Sequence, residues 1–258
     1  MFLFAMIWTF YFVKMVLQNL RLKETSVQCE YKLGKYLGIV VLGSFLTIIT
    51  LGIYLPWFMR SMQRFFVDNS SYKEKNFSFQ GKGGKLFLMV TLSLIVPMIL
   101  IMAITSMKYG IDTKNQSMWI HITKQLIMQI ILVPYIYLIY KWMVDIKYDE
   151  YQIKWDTMFF PSTGKILLEI FLTIITLGIY MPLAYLRLYK YFIERTKSNQ
   201  IENQSIQFGY DIDQLTDFKM IWGQLLLIAV TLGIYYPWAF CKVFQRVLGK
   251  SYIEKINN

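Results

Sequence analysis

The chain has 258 residues, 56% of them hydrophobic and 17% aromatic, with a formal net charge of +11. This apolar share, with a positive mean hydropathy, excludes an ordinary soluble domain. The basic residues flank apolar segments, which points to anionic lipid headgroups as partner and away from nucleic acid.

In chain order, the N-terminus (MFLFAMIWTFYFVK) has no basic residue before its apolar run and no small-residue cleavage site. It reads as a retained helix over about 2–22, followed by a short strand at 27–31. A first unit, 33–81, reads as an apolar helix, a break, a cationic helix and a closing strand, NFSFQG at 76–81. A stretched, degenerate unit covers 85–156. It contains an uncharged run at 86–107 and a nearly clean one at 125–140, each of membrane-spanning length, and closes with YQIKWD at 151–156. A close copy of the first unit covers 164–209 and closes with SIQFG at 205–209. The last, 218–258, shows no obvious closing strand. In the strand segments apolar and polar side chains alternate (Phe77 and Phe79; Tyr151, Ile153 and Trp155; Ile206 and Phe208), the period of a half-buried strand.

The decamer FLTIITLGIY occurs at 45–54 and again at 171–180, with a looser copy, LLIAVTLGIY, at 226–235. Internal duplication explains an ordered repeat of this length better than shared composition does. Gly52, Gly178 and Gly233 are each followed four residues later by a proline, Pro56, Pro182 and Pro237. Glycine suits the C′ position past a helix and proline the N1 position of the next, so each break reads as helix, tight turn, helix. One continuous proline-kinked membrane helix is the alternative.

Charge placement favours the turn. Six alternating spans would divide Lys and Arg almost equally between the two faces, against the usual cytoplasmic excess. Hairpins return every cationic helix to one side and let the four strand segments meet in one small sheet. The fold expected is an all-α polytopic membrane protein with internal helix–break–helix repeats plus short extramembrane β-strands, a single membrane domain over 1–258. The difficulty is Arg60, four residues past Pro56, which in a hairpin sits deep unless it snorkels, pairs or lines a wet cavity.

After each proline come two cations at helical spacing: Arg60 and Arg64, Arg187 and Lys190, Lys242 and Arg246. Trp57, Tyr185 and Trp238 lie nearby as interfacial anchors. One reading is a set of anion sites for headgroups or a small anionic ligand. The blander one, positive flanks that fix orientation, adjoins most membrane helices.

TLGIYLPW at 50–57, TLGIYYPW at 231–238 and FSFQG at 77–81 resemble the YjgN-type bacterial inner-membrane proteins, a family of unknown function. The resemblance covers most of the chain from about residue 28 and implies a multi-pass protein of the bacterial inner membrane. It carries over no catalytic residues. The chain departs from the pattern at Leu183, where the tryptophan is missing, at Arg60, one place early, and through most of 85–156.

Conventional catalytic sets are not legible. His121, the sole histidine, has no partner set. Cys29 and Cys241 show neither pair nor metal spacing, so no metal or cofactor is expected. GKGGK at 81–85 lacks the Ser/Thr of a phosphate loop and reads as a turn into the next helix. Glu169 can pair with Lys165 one turn earlier; Asp211, Asp213 and Asp217 read as a polar loop. Thr47, Thr50, Thr173, Thr176 and Thr231 are expected to bond back to helix carbonyls or across helix contacts. The leading functional expectation is non-catalytic binding or transport of an anionic headgroup or small anion. The alternative is a membrane scaffold docking a protein partner, or another copy of itself, through the strand layer.

Overall fold

The computed structural model describes residues 2–18, 21–22, 25–109, 118–199 and 204–257. The loop expected between the two long apolar runs falls mostly outside them, as does the side chain of His121. Two compact units divide the chain, Met1–Ile153 and Lys154–Asn258.

The first unit opens with α1 (Phe2–Gln18), shorter than expected, and a small ladder of β1 (Arg21–Leu22) and β2 (Thr25–Ser26). Then come β3 (Gln28–Cys29), α2 (Leu33–Ile49), α3 (Leu55–Asp68), β4 (Ser70–Tyr72) and β5 (Lys75–Phe79). Beyond them lie α4 (Gly83–Val90), α5 (Val96–Tyr109), α6 (Met118–Met143), β6 (Ile146–Tyr148) and β7 (Tyr151–Trp155). A π-helical turn, Thr91–Ile95, joins α4 to α5. Pro97 lies two residues past it; its ring would collide with the carbonyl four residues back in an α-helix, and the wider turn relieves that contact. The second unit holds the end of β7, then α7 (Phe159–Ile175), α8 (Met181–Ile193), β8 (Thr196–Ser198), β9 (Gln204–Tyr210), α9 (Gln214–Val230), α10 (Tyr236–Gly249) and β10 (Ser251–Asn257).

The all-α polytopic expectation is overturned. Eight strands form one ladder in the order β10-β9-β8-β7-β6-β5-β4-β3. Among the described residues only Gly83–Met107 and Gln125–Met143 are helices both long and apolar enough to cross a membrane. The sequence reading found β3, β5, β7 and β9 and missed β4, β6, β8 and β10. Three of the missed strands are three residues long, too short to show a period. The β4–β5 and β6–β7 reversals use Lys73, Glu74 and Asp149 at positive φ, where no glycine announces a hairpin. The fourth, β10, pairs with β9 over seven residues.

Each decamer is a helix–turn–helix, with a cap that differs in detail from expectation. Thr50 is the C-cap of α2 and Leu51, not glycine, takes the left-handed C′ position at φ +50°; Gly52 follows at φ +91°. The Gly52 amide donates to Thr47 O (2.7 Å) and the Leu51 amide to Ile48 O (3.1 Å), the paired bonds of a Schellman motif. The Thr50 hydroxyl donates to Leu46 O at 2.7 Å and accepts from the Tyr54 amide at 3.0 Å, stapling the end of α2 to the start of α3. Thr176 with Tyr180 and Thr231 with Tyr235 repeat the staple. Proline enters one residue late, at N2, since Leu55, Met181 and Tyr236 begin the second helices.

Aligned on the decamers, Tyr36, Ser162 and Asp217 occupy one position, each at most 1% exposed. The position facing them from the second helix is Phe65, Tyr191 or Arg246. One slot therefore holds three chemistries: Tyr36 and Phe65 rings 5.6 Å apart, a Ser162–Tyr191 hydroxyl contact of 3.3 Å, and an Asp217–Arg246 ion pair of 2.9 Å. Below it, Ser70, Thr196 and Ser251 each return a hydroxyl hydrogen to the carbonyl four residues back. In the first unit Phe10, Tyr31, Tyr36 and Phe65 form an aromatic core, where burial pushes the Tyr31 hydroxyl far above its ordinary pKa.

Alanine at Gly52, Gly178 or Gly233 would carry a Cβ at φ near +90°, and each change is expected to cost about 1–3 kcal/mol. Leu51→Gly removes strain instead and is expected to be neutral or stabilising. Thermal unfolding in detergent compares them; equal losses would show that backbone conformation does not select the glycine.

Candidate anion-binding site

The six cations singled out in sequence have different fates. Arg64 pairs with Asp68 at 2.8 Å on an exposed helix face. Arg246 and Lys250 both reach the buried Asp217 at 2.9 Å. Arg60, half-buried, donates from Nε to Gly81 O at 3.0 Å, so its long side chain carries the charge away from the turn to the strand end. Close packing at this strand end accounts for two glycines of GKGGK. A Cβ at Gly81 would strike the Phe79 ring and the Trp142 Nε1, and one at Gly83 would strike Trp57; Trp142 Nε1 donates to Lys82 O.

Lys242 donates to the hydroxyl of Tyr235 at 2.9 Å, and Arg187 to that of Tyr180 at 2.8 Å. Both run from a cation to the tyrosine seven residues earlier, two helical turns below. Arg60, one place early in its copy, cannot take this partner. Trp57 and Trp238 stack on Tyr54 and Tyr235 with centroids 6.2 Å apart; Trp57 is half-buried, whereas Trp238 is exposed.

Arg187 and Lys190 meet at an open cleft of about 290 Å³ in the second unit. Lys165 of α7 and Arg195, just past α8, complete its basic wall; Gln214 and Ile212 close it from the start of α9. Lys165 Nζ lies 2.6 Å from the buried Glu169, and Lys190 lies 3.6 Å from Glu194. The two arginines are held by neutral groups. Arg187 binds Tyr180 Oη and reaches Gln214 Oε1 at 3.4 Å. Arg195 donates to Tyr191 O at 3.0 Å and lies 3.8 Å over the Tyr191 ring. Four cations thus share the cleft with two carboxylates, and both guanidiniums keep donors for a ligand. Phosphate, sulfate or carboxylate chemistry suits such a wall. Counting only two cations after each proline overlooked Lys165 and Arg195. Arg195 was detectable as the residue aligned with Lys250 and Asn69.

Asp217 is not loop-borne as expected but lies in the first turn of α9, beneath its N-cap Asp213. Burial alone would raise its pKa; hydrogen bonds from Lys250 and Arg246 prevail, and the net direction is down. A depressed folded pKa contributes stability that is complete above the unfolded value of about 4 and is lost as pH falls through the folded value. Asp217→Asn is expected to destabilise the protein at pH 7. The loss should lie toward the low end of the ~3–5 kcal/mol for a broken buried pair, because Arg246 remains 39% exposed. It should also flatten the acid limb of a stability profile, read by thermal unfolding between pH 2 and about 7. An unchanged acid limb would remove Asp217 as its source.

The comparisons place the chain in a family without assigning chemistry to it. Residues 2–201 match the family described as "Bacterial protein of unknown function (DUF898)", and residues 152–254 match a second, "Family of unknown function (DUF6693)". The chain is 40% identical over 63 residues to the inner membrane protein YjgN of Salmonella typhimurium, and 41% over 54 residues to that of Escherichia coli K12. These stretches are 24% and 21% of this chain but only 16% and 14% of the relatives. No solved structure matches. With most of its length matched by the first family, the chain belongs to DUF898, the family of YjgN-type bacterial inner-membrane proteins.

Proposed function

We propose that this inner-membrane protein is a non-catalytic binder of anionic groups, phospholipid headgroups or a small phosphate-bearing solute, in the cleft of Lys165, Arg187, Lys190 and Arg195. The observation that carries the proposal is the charge imbalance there. Glu169 and Glu194 answer the two lysines, while Arg187 and Arg195 are oriented by a hydroxyl, a carboxamide and a carbonyl. A guanidinium positioned by neutral acceptors retains its full charge for an incoming oxyanion. Charge-assisted bonds of this kind contribute about 1.5–3 kcal/mol each.

The Arg187→Gln/Arg195→Gln double variant is expected to lose at least about tenfold in affinity for phosphatidylglycerol in nanodiscs. Arg64→Gln, on a surface ion pair, serves as the control and is expected to bind normally. Competition by inorganic phosphate separates a solute site from a headgroup site. Equal affinities in the double variant and wild type would overturn the assignment.

A further inference from the structure

The three turns carry a pattern that water does not require. Leu51, Leu177 and Leu232 are each 93% exposed, at φ between +49° and +51°. Side chains of this kind are uncommon in left-handed conformation, where glycine or asparagine is favoured. Ile53, Ile179 and Ile234 beside them are also exposed. A tip built for water would carry polar residues and leave some amides to solvent.

Here no backbone amide is left to solvent. In the first turn the amides of residues 50–55 donate in order to Leu46 O, Ile48 O, Thr47 O, Thr50 O, the Thr50 hydroxyl and Gly52 O. The same six bonds recur at 176–181 and at 231–236. Hydrocarbon demands that backbone polar groups find partners within the protein, and every amide of these turns meets that demand. We infer that each TLGIY turn is an insertion tip that lies within the acyl-chain region of the bilayer and does not emerge on the far side.

Dimensions agree. Helix α2, Leu33–Ile49, has 17 residues and spans roughly 25 Å, less than the ~30 Å hydrocarbon core. Along α8, helical rise sets Arg187 and Lys190 roughly 9 and 14 Å from its start, comparable with half that core. The Tyr54–Trp57 and Tyr235–Trp238 stacks are amphipathic rings of the type that marks the approach to the headgroups. The inference needs only the membrane location of the family and is independent of what the cleft binds, so the two fail separately.

The test places single cysteines at the tips, Leu51→Cys, Leu177→Cys and Leu232→Cys, in a Cys29→Ser/Cys241→Ser background, with Asn76→Cys as an exposed reference on β5. After nitroxide labelling in liposomes, oxygen should broaden the tip signals at least several-fold more than a water-soluble nickel chelate does, and the reference should show the reverse. Chelate access at a tip equal to that at the reference, or reaction with an impermeant thiol reagent from either face, would overturn the inference. Each labelled variant is compared with wild type by circular dichroism. Where one fails to fold, the neighbouring Ile53→Cys, Ile179→Cys or Ile234→Cys reads the same depth.

Discussion

Satisfying backbone donors across an abrupt reversal is the constraint on which the hairpins depend. A helix end leaves its last carbonyls open and the next helix start leaves its first amides open. With one residue at φ near +50° and the next near +90°, each turn gives partners to the opening amides of the second helix and, in the first copy, to Leu46 O, Thr47 O and Ile48 O. The threonine hydroxyl links the two by acting in both directions at once. This is why threonine, leucine, glycine and tyrosine recur in the same order. Threonine supplies the staple, leucine accepts the left-handed position, glycine the more demanding one after it, and tyrosine the stapled amide.

Around that fixed frame the hairpins diverge. The slot of Tyr36, Ser162 and Asp217 is buried in all three, yet is filled successively by an aromatic contact, a hydroxyl contact and an ion pair. The ion pair secures the junction of α9, α10 and β10, since Lys250 lies immediately before that strand. Where the pair becomes a hydroxyl contact, in the second hairpin, the one cation left at these positions lines the cleft. Arg195, aligned with Lys250, has no acid beneath it and turns to the Tyr191 ring. With Ser162 where the third hairpin has Asp217, the second hairpin has no buried ion pair at this slot.

The hairpins were legible in the sequence because their signals are local: a repeated decamer, a glycine and a proline. Their cap was read one residue out of register, because an exposed leucine at positive φ contradicts ordinary propensity. The sheet was half legible. Strands β5, β7 and β9 alternate clearly, but β4, β6 and β8 acquire their conformation from pairing, which no three-residue window reveals. Arg187 and Lys190 were identified by spacing and Arg195 was open to alignment with Lys250, whereas Lys165 required knowledge of how α7 approaches α8. The fates of Arg64 and Arg246 follow from Asp68 and Asp217, whose proximity depends on helix phase.

Against α2, the ring of Phe58 fills the space that Gly43 leaves open; a Cβ there would sit 2.1 Å from it. At the matching places the second hairpin has Glu169 with Ala184, and the third has Gln224 with Ala239. Large and small have changed sides between copies. A crossover between the first copy and either of the others would strand a phenyl-sized hole or drive a ring into a carboxylate or amide. The first copy has become incompatible with the other two, and recombination with it is barred by volume alone.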